Sequence, residues 1–146
     1  MKIRKASLSD VDFLLPLYSD LGYPTEKATL EKRLTSLFSN PDYGCLVAEY
    51  EGVVLGFIGY TKLYFFEADG FYYRILALSV LQKTRRQGVA TQLMNAVKEL
   101  ATKEGAKALA LNSGLTEERR VAYQFYEKAG FKKVTTGFAL PLESVT

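Results

Sequence analysis

The sequence predicts an α+β domain, a mixed β-sheet flanked by helices, in the order β-α-α-β-β-β-α-β-α-β. Three observations lead to this class. The 146 residues, 48% of them hydrophobic, suffice for a single compact domain, and no repeat or linker divides residues 1–146. Apolar residues alternate in some segments, as in strands, and recur at helical spacing in others. Passages from strand to helix to strand around residues 88 and 117 require parallel neighbours in the sheet.

A short strand over residues 2–6 and two helices are predicted at the start of the chain. Residues 7–10, Ser-Leu-Ser-Asp, have a capping-box pattern, which favours a helix from there through Asp20. Thr25 is the predicted N-cap of a second helix, which ends near Phe38 before an Asn-Pro pair.

Three antiparallel strands are predicted next. Alternating residues indicate strands over residues 43–50, 53–66 and 71–80, and a Glu-Gly turn at 51–52 joins the first two as a hairpin. Eight aromatic residues fall within 57–73. Such rings usually pack a half-buried sheet, but consecutive aromatic pairs place rings on both faces, which leaves one face to line a ligand pocket.

The second half of the chain begins with a clear helical period. Residues 88–104 predict a helix closed by a glycine. Its apolar stripe consists of Val89, Leu93, Val97 and Leu100. A strand over 106–111, a helix from Thr116 to the glycine at 130, and a last strand over 131–140 complete the predicted order.

Histidine is absent from the sequence, which excludes Ser-His-Asp and Cys-His nucleophiles, histidine bases and nearly all zinc sites, so no metal is expected. Cys45 is the only cysteine, so an intrachain disulfide is impossible, as suits a reducing compartment. No apolar run approaches the roughly 20 residues of a membrane helix. Asp10 and Asp12 interrupt the region where a signal peptide would be apolar. We therefore expect a cytoplasmic protein with no membrane partner.

The charge is uneven along the chain. Residues 1–70 contain seven basic and ten acidic residues, and residues 71–146 contain twelve and six. Two interpretations stay open: solvated faces that happen to differ, or an anionic ligand held by the second half. Basic residues are not interleaved with the aromatic ones, so nucleic acid is not an expected partner.

The sharpest signal is a buried strand, a basic loop and a helix start over residues 76–91. The first turn of a helix has free N–H groups and a partial positive charge, and Gly88 would let a phosphate approach the backbone without a Cβ in the way. Arg85 and Arg86 add forked donors. The motifs of a P-loop and of a dinucleotide fingerprint are both missing. On these residues alone, phosphate binding and an ordinary basic loop both stay open.

Two motifs resemble the GNAT superfamily of N-acetyltransferases. The segment from Arg85 to Ala90, Arg-Arg-Gln-Gly-Val-Ala, is similar to the superfamily signature Gln/Arg-x-x-Gly-x-Gly/Ala. Residues 122–131, Ala-Tyr-Gln-Phe-Tyr-Glu-Lys-Ala-Gly-Phe, resemble the later segment that ends in Tyr-Glu-x-x-Gly-Phe. The two motifs occur in the family's order, and the predicted elements also follow that order over nearly the whole chain.

The resemblance implies that acetyl-CoA is bound, with its pyrophosphate on the basic loop and its pantetheine arm beside the preceding strand, as an added strand would lie. The implied pyrophosphate residues are Arg85, Arg86, Gln87, Gly88, Val89, Ala90 and Thr91. The implied strand residues are Leu78, Ser79 and Val80. Family members often have an asparagine where this chain has Arg119, so Asn112 at a strand end is the candidate substitute for that contact.

The resemblance also implies a catalytic role for Tyr126, because the family often has a tyrosine there within reach of the CoA sulfur. Phenol and thiol pKa values are both about 9 to 10, so the Tyr126 hydroxyl suits protonation of a departing thiolate. Helical spacing sets Tyr126 on one stripe with Arg119 and Tyr123. The predicted inward stripe is Val121, Ala122, Phe125 and Ala129. A boundary aromatic with a solvated hydroxyl is the alternative interpretation of Tyr126.

The general base is left open by the sequence. Many family members have a glutamate on the strand before the cofactor loop, whereas residues 74–82 contain no carboxylate here. A primary ammonium with a pKa of about 10.4 must lose a proton before it attacks a thioester. Glu67, Asp69 or a chain of water molecules would accept that proton.

The sequence thus predicts an acetyl-CoA-dependent N-acetyltransferase that acetylates a primary amine of a small molecule or peptide by direct attack in a ternary complex. The alternative is a catalytically silent CoA-binding sensor or interaction module, which the missing strand carboxylate favours. The apolar C-terminal segment would also allow a homodimer by strand pairing. Turnover of acetyl-CoA with an amine separates the two functions.

Overall fold

The computed structural model describes residues 1–112 and 117–143, with the backbone alone over residues 117–121. The chain forms two compact units, residues 1–111 and residues 112–146. The first unit contains a β-sheet and three α-helices, and the described part of the second contains one helix and the C-terminal segment.

A five-stranded mixed sheet is the centre of the first unit. Its strands are β1 (Lys2–Lys5), β2 (Tyr43–Tyr50), β3 (Val53–Tyr64), β4 (Phe71–Val80) and β5 (Leu109–Leu111). They stand side by side in the same order as in the chain. The first three pairings are antiparallel and the pairing of β4 with β5 is parallel, as the strand-helix-strand passage requires. The predicted α+β class with a mixed sheet is confirmed.

Helices cover both faces of this sheet. They are α1 (Val11–Leu21), α2 (Lys27–Ser39) and α3 (Val89–Glu104). Leu14, Leu17 and Leu30 of the first two helices pack with Phe57 of β3 in one core cluster. Adjacent strand residues point to opposite faces, so Ile58 lies on the other face, where α3 packs. The two sides of the sheet are therefore occupied by different helices.

The predicted capping box begins the first helix. A 3₁₀ turn over Leu8–Asp10 leads into α1, and the Ser7 N–H donates to the carboxylate of Asp10 at 2.8 Å. Arg4 on β1 donates to both oxygens of the same carboxylate, at 2.7 and 2.9 Å, and also to Glu49 on β2. The Arg4 guanidinium holds the pKa of Asp10 below its usual value, so this buried carboxylate stays charged.

Two element starts differ from their prediction. The N-cap of α2 is Glu26 rather than Thr25, because the backbone of Glu26 is extended and its carbonyl accepts the first helical hydrogen bond, at 2.9 Å. β5 begins at Leu109 rather than at residue 106. The N–H of Ala106 instead donates to a carbonyl of α3, which completes the helix cap at the left-handed Gly105.

The second unit contains α4 (Glu117–Lys128), which is followed by the left-handed Gly130 as predicted. The last predicted strand, over residues 131–140, is wrong, since no strand forms over those residues. A strand needs a neighbour that pairs with its backbone N–H and C=O groups, and the described residues of this unit contain no other strand. The large apolar side chains of this segment are exposed: Val134, Phe138, Leu140 and Leu142.

Candidate active site

The loop between β4 and α3, for which the sequence predicts an anion site, begins with a short helical turn. A 3₁₀ turn over Gln82–Thr84 follows β4, and the buried Thr84 hydroxyl fixes it by donating to the carbonyl of Leu81 at 2.9 Å. Arg85, Arg86 and Gln87 come next, and all three are exposed. Two guanidinium groups and one amide therefore meet solvent directly before the start of α3.

Gly88 is the N-cap of α3, with φ at 82°, in the left-handed region that favours glycine. A Cβ built on Gly88 would meet no atom within 4 Å, so the backbone angle, not packing space, calls for glycine. Arg86 also has a positive φ, 67°. The first amides of the helix, those of Val89, Ala90 and Thr91, have no helical carbonyl one turn earlier. They lie at the positive end of the helix dipole, where an anion is stabilised.

β4 has an open edge next to this loop. β5 pairs with β4 only from Tyr73 to Ile75, whereas β4 continues to Val80. Among the strands that the structure describes, residues 77–80 are therefore paired with β3 alone. The backbone groups on the other side of residues 77–80 have no partner strand among those described, and an extended ligand that adds to the sheet would pair with them.

A β-bulge at Leu76 marks the point where this edge opens. Ile75 pairs with Tyr60 and Ala77 pairs with Gly59, so Leu76 has no partner on β3. A bulge bends its strand and increases the local twist. Because the bulge directly follows the last residue paired with β5, the strand changes direction where the parallel pairing ends.

The three strand residues predicted to lie beside the cofactor offer their backbone rather than their side chains. Ser79 is buried, and its hydroxyl donates to the carbonyl of Leu17 on α1 at 2.9 Å. Val80 is buried and Leu78 is half-buried. A ligand at this edge would therefore meet mainly their N–H and C=O groups.

Tyr126 and Asn112 belong to the second unit. Tyr126 is half-buried on α4, with its ring edge-on to those of Phe125 and Phe131 at centroid distances of 5.6 and 6.2 Å. Asn112 is exposed, and its Nδ2 is 3.5 Å from where a Cβ on Gly137 would stand. The Tyr126 ring is thus held by aromatic neighbours of its own unit.

The predicted inward stripe of α4 is only partly right. Ala122 and Phe125 are half-buried, but Tyr126 is half-buried as well, and Ala129 is exposed. Ala129 is exposed, contrary to the prediction, because the helix ends at Lys128 and Ala129 lies in the turn beyond it. The side chains of Arg119 and Val121, and the predicted helix start at Thr116, lie outside the described residues.

The two carboxylates proposed as bases lie in the turn between β3 and β4. β3 ends at Tyr64, two residues before its predicted end, because residues 65–70 form a turn that includes the left-handed Gly70. Glu67 and Asp69 are both exposed in this turn. Both side chains are therefore in contact with solvent.

Two residues that border the open edge of β4 were not predicted as site residues. Leu76 forms the bulge, and Arg74 is half-buried between Thr61 on β3 and Ala110 on β5. An arginine within an otherwise apolar strand is a visible signal in the sequence. The bulge has no such signal, because it depends on how two strands pair.

Comparison with known proteins assigns the chain to one family. The acetyltransferase (GNAT) family profile matches residues 11–131. An uncharacterized N-acetyltransferase of Bacillus subtilis strain 168, YhfO, is 31% identical over 145 residues, which cover 94% of this chain and 93% of that protein. The crystal structure of a GNAT family acetyltransferase from Staphylococcus aureus has 31% identity and a TM-score of 0.84, and covers 97% of this chain and 98% of that chain. An aminoglycoside acetyltransferase from an uncultured soil metagenomic sample shares the fold at 22% identity and a TM-score of 0.77. The match covers 97% of this chain and 98% of that chain.

A mixed five-stranded sheet with helices on both faces places the chain in the α+β class. The chain belongs to the acetyltransferase (GNAT) family, as the two sequence motifs imply. In the part of the chain that the structure describes, no helix is long and apolar enough to cross a membrane. The same residues contain no group of three or more Cys, Asp or Glu side chains placed to hold a metal ion.

Proposed function

We propose that this chain is an acetyl-CoA-dependent N-acetyltransferase, which acetylates a primary amine of a small molecule or peptide by direct attack in a ternary complex. The open edge of β4 over residues 76–80 carries this proposal, because it leads into the basic loop at the start of α3. A ligand with an amide-bearing arm and a diphosphate fits a strand edge followed by a helix N-terminus. Acetyl-CoA has both parts and supplies the activated acetyl thioester.

In this proposal the loop binds the diphosphate and the strand edge binds the arm. The proposed diphosphate-binding residues are Arg85, Arg86, Gln87, Gly88, Val89, Ala90 and Thr91. Leu78, Ser79 and Val80 would bind the arm through their backbone groups, and Asn112 is the further proposed contact. The exposed arginines neutralise charge, while the helix amides give directional hydrogen bonds.

Tyr126 is the proposed general acid. The amine attacks in its neutral form: its nitrogen forms a bond to the thioester carbonyl carbon, becomes positively charged and then loses one proton. As the C–S bond breaks, the Tyr126 hydroxyl gives its proton to the departing sulfur, and the tyrosinate then takes a proton from solvent. We propose that water takes the proton of the amine, because Glu67 and Asp69 are both solvated. No metal takes part in this scheme.

We do not assign an aminoglycoside acceptor to this chain, because the similarity to the soil-derived aminoglycoside acetyltransferase, at 22% identity, concerns the fold alone. We propose a small-molecule or peptide amine acceptor, with no nucleic-acid or membrane partner. A cytoplasmic location, a single domain over residues 1–146 and a homodimer formed through the exposed C-terminal segment belong to the same proposal.

Calorimetric titration with acetyl-CoA, run beside a thiol-release assay over a panel of amines, tests the proposed function. We expect saturable binding and thiol release that depends on the amine. Acetyl-pantetheine, which lacks the diphosphate, is the matched control ligand and should bind more weakly. Binding without thiol release from any amine would instead favour a catalytically silent CoA-binding module, and absence of binding would contradict both functions.

A further inference from the structure

The sheet face that carries α1 and α2 has an open space at Gly59. On β3, Phe57, Gly59 and Thr61 point to the same face. Tyr18 of α1 stacks on Phe57 with ring centroids 5.4 Å apart. A Cβ built on Gly59, in contrast, would meet no atom within 4 Å. The Gly59 hollow is this space, bounded by Tyr18, Phe57, Thr61 and Ala77, the residue paired with Gly59 on β4.

Arg74 stands at one end of the Gly59 hollow. It pairs directly with Thr61, and residues that face each other across two antiparallel strands share a face of the sheet. The adjacent Tyr73 points the other way, where its hydroxyl bonds to Glu104 of α3. Arg74 is half-buried, and among residues 1–112 its guanidinium takes part in no ion pair. A partly desolvated cation without a protein carboxylate is suited to an anionic ligand.

Arg33 lies beside Tyr18, one of the residues that bound the hollow. Its guanidinium carbon is 5.7 Å from the ring centroid of Tyr18, which stacks on Phe57. A second guanidinium group is thus close to the wall of the hollow.

Among residues 1–112, no carboxylate forms an ion pair with Arg33 or Arg74. Cys45 pairs with Gly59 across β2 and β3, and burial raises the pKa of its thiol to about 12, so the thiol is neutral. Asp42, which precedes β2, has an exposed side chain and offers Thr61 only its backbone carbonyl, at 3.2 Å. The carboxylate of Asp10 acts on the same thiol but is paired with Arg4, so Arg33 and Arg74 keep their positive charge beside the hollow.

The hollow lies where an arm along the open edge of β4 would end. An extended ligand that starts at the basic loop and follows β4 from Val80 reaches the bulge at Leu76. Ala77, beside the bulge, lines the hollow, and Arg74 lies just beyond the bulge. A nucleophile seated in the hollow would be adjacent to the end of that arm.

We infer that the acceptor amine carries an anionic group, a carboxylate or a phosphate, which Arg74 binds while the amine lies in the Gly59 hollow. This inference rests on the proposed function and names the substrate class of the same site. The planar guanidinium fork binds carboxylate and phosphate alike. A polycationic amine would meet two positive groups there, and this repulsion selects against it.

Matched pairs of amines test the inference. The first pair is L-phenylalanine and L-phenylalaninamide, and the second is O-phosphoethanolamine and ethanolamine, which separates carboxylate from phosphate. Kanamycin and spermidine represent polycations. We expect the anionic member of at least one pair to have a kcat/KM at least about tenfold above that of its neutral partner. L-phenylalaninamide has the less basic amine, so a larger fraction of it is neutral and able to attack. Amine reactivity alone would therefore favour the amide over L-phenylalanine.

Arg74→Gln should reduce that preference to about threefold or less, chiefly through KM, with acetyl-CoA affinity unchanged by calorimetry. Arg74→Lys keeps the charge but not the fork, so it should retain part of the preference. Lys32→Gln removes one positive charge from an exposed position of α2 and serves as the matched control. Unchanged acetyl-CoA affinity shows that an Arg74 variant is folded.

The outcomes separate this inference from the proposed function. Turnover confined to polycations, or a preference that Arg74→Gln leaves intact, would overturn the inference and leave the acetyltransferase standing. Acetyl-CoA binding with no turnover of any panel member, or no binding at all, would overturn the proposed function and the inference with it.

Discussion

The hydroxyl of Ser79 on β4 donates a 2.9 Å hydrogen bond to the carbonyl of Leu17 on α1, and both residues are buried. Leu17 directly follows Pro16, and α1 nevertheless continues from Val11 to Leu21. A proline removes a helical N–H donor and weakens the turn before it. The bond from Ser79 therefore fixes α1 to β4 one residue after the proline.

Ser79→Ala should lower the free energy of unfolding by about 1 kcal/mol, because it removes one buried hydrogen bond without adding bulk. Urea unfolding at neutral pH measures the loss. Ser36→Ala, at an exposed position of α2, is the control and should change stability by less than about 0.5 kcal/mol. Equal losses in the two variants would mean that the bond contributes nothing to stability.

Gly88→Asp should abolish acetyl-CoA binding, and Gly88→Asn should weaken it much less. Both side chains have the same shape and tolerate the left-handed backbone better than most residues, so the strain is matched. Only aspartate adds a negative charge at the start of α3, where an anionic ligand would lie. Calorimetry on both variants, with circular dichroism to check folding, makes the comparison. Similar affinities for the two would place the diphosphate elsewhere.

Tyr126→Phe should lower kcat by ~10²- to 10⁴-fold, because it deletes the proposed general acid and keeps the ring. Acetyl-CoA affinity should stay close to that of the unsubstituted protein. Tyr123→Phe, a half-buried tyrosine on the same helix, is the matched control. A kcat for Tyr126→Phe within about threefold of the control would assign protonation of the thiolate to water.

Stability should fall below about pH 4 through Asp10. The Arg4 guanidinium lowers the pKa of this carboxyl from its ordinary value of 3.8. The unfolded chain therefore binds the proton first as the pH falls, so the stabilisation is complete well above pH 3.8 and is lost through the lower, folded pKa. Asp10→Asn should cost about 1 to 3 kcal/mol at pH 7, since Arg4 loses the carboxylate that binds it through both oxygens and keeps only Glu49.

Urea unfolding between pH 7 and pH 3 measures this effect. The Asp10→Asn chain should lose less stability over that interval than the unsubstituted chain. Asp12→Asn is the control, because Asp12 is exposed and pairs only with Lys27, at 3.1 Å, among the described residues. Parallel pH profiles for the Asp10→Asn and unsubstituted chains would contradict the role of the ion pair.

Elements whose signals are local are predicted well by the sequence. The bounds of β4, Phe71–Val80, are those that its alternation predicts, and α3 begins and ends at the glycines that mark it. The basic loop is likewise visible as a run of residue types. These features depend on residues close together in the chain, which a single sequence displays.

Features that depend on residues far apart in the chain are not predicted by the sequence. Residues 131–140 alternate like a strand but form none, because alternation does not supply a neighbouring strand. The bulge at Leu76 and the hollow at Gly59 arise from the register of β3 against β4. Arg74 becomes a candidate ligand group only once Thr61 is known to lie opposite it. The sequence motif suggests a role for Tyr126 but does not give the position of Tyr126 relative to other residues.

The open edge of β4 also bears on how the protein behaves at high concentration. Unpaired N–H and C=O groups along a strand are a template on which another chain can add. Arg85 and Arg86, exposed just beyond this edge, repel a second copy of the same positive surface. A small ligand that occupies the edge would remove the template and, by mass action, raise the melting temperature of the native chain. Depletion of that ligand should therefore bring aggregation and a lower melting temperature together.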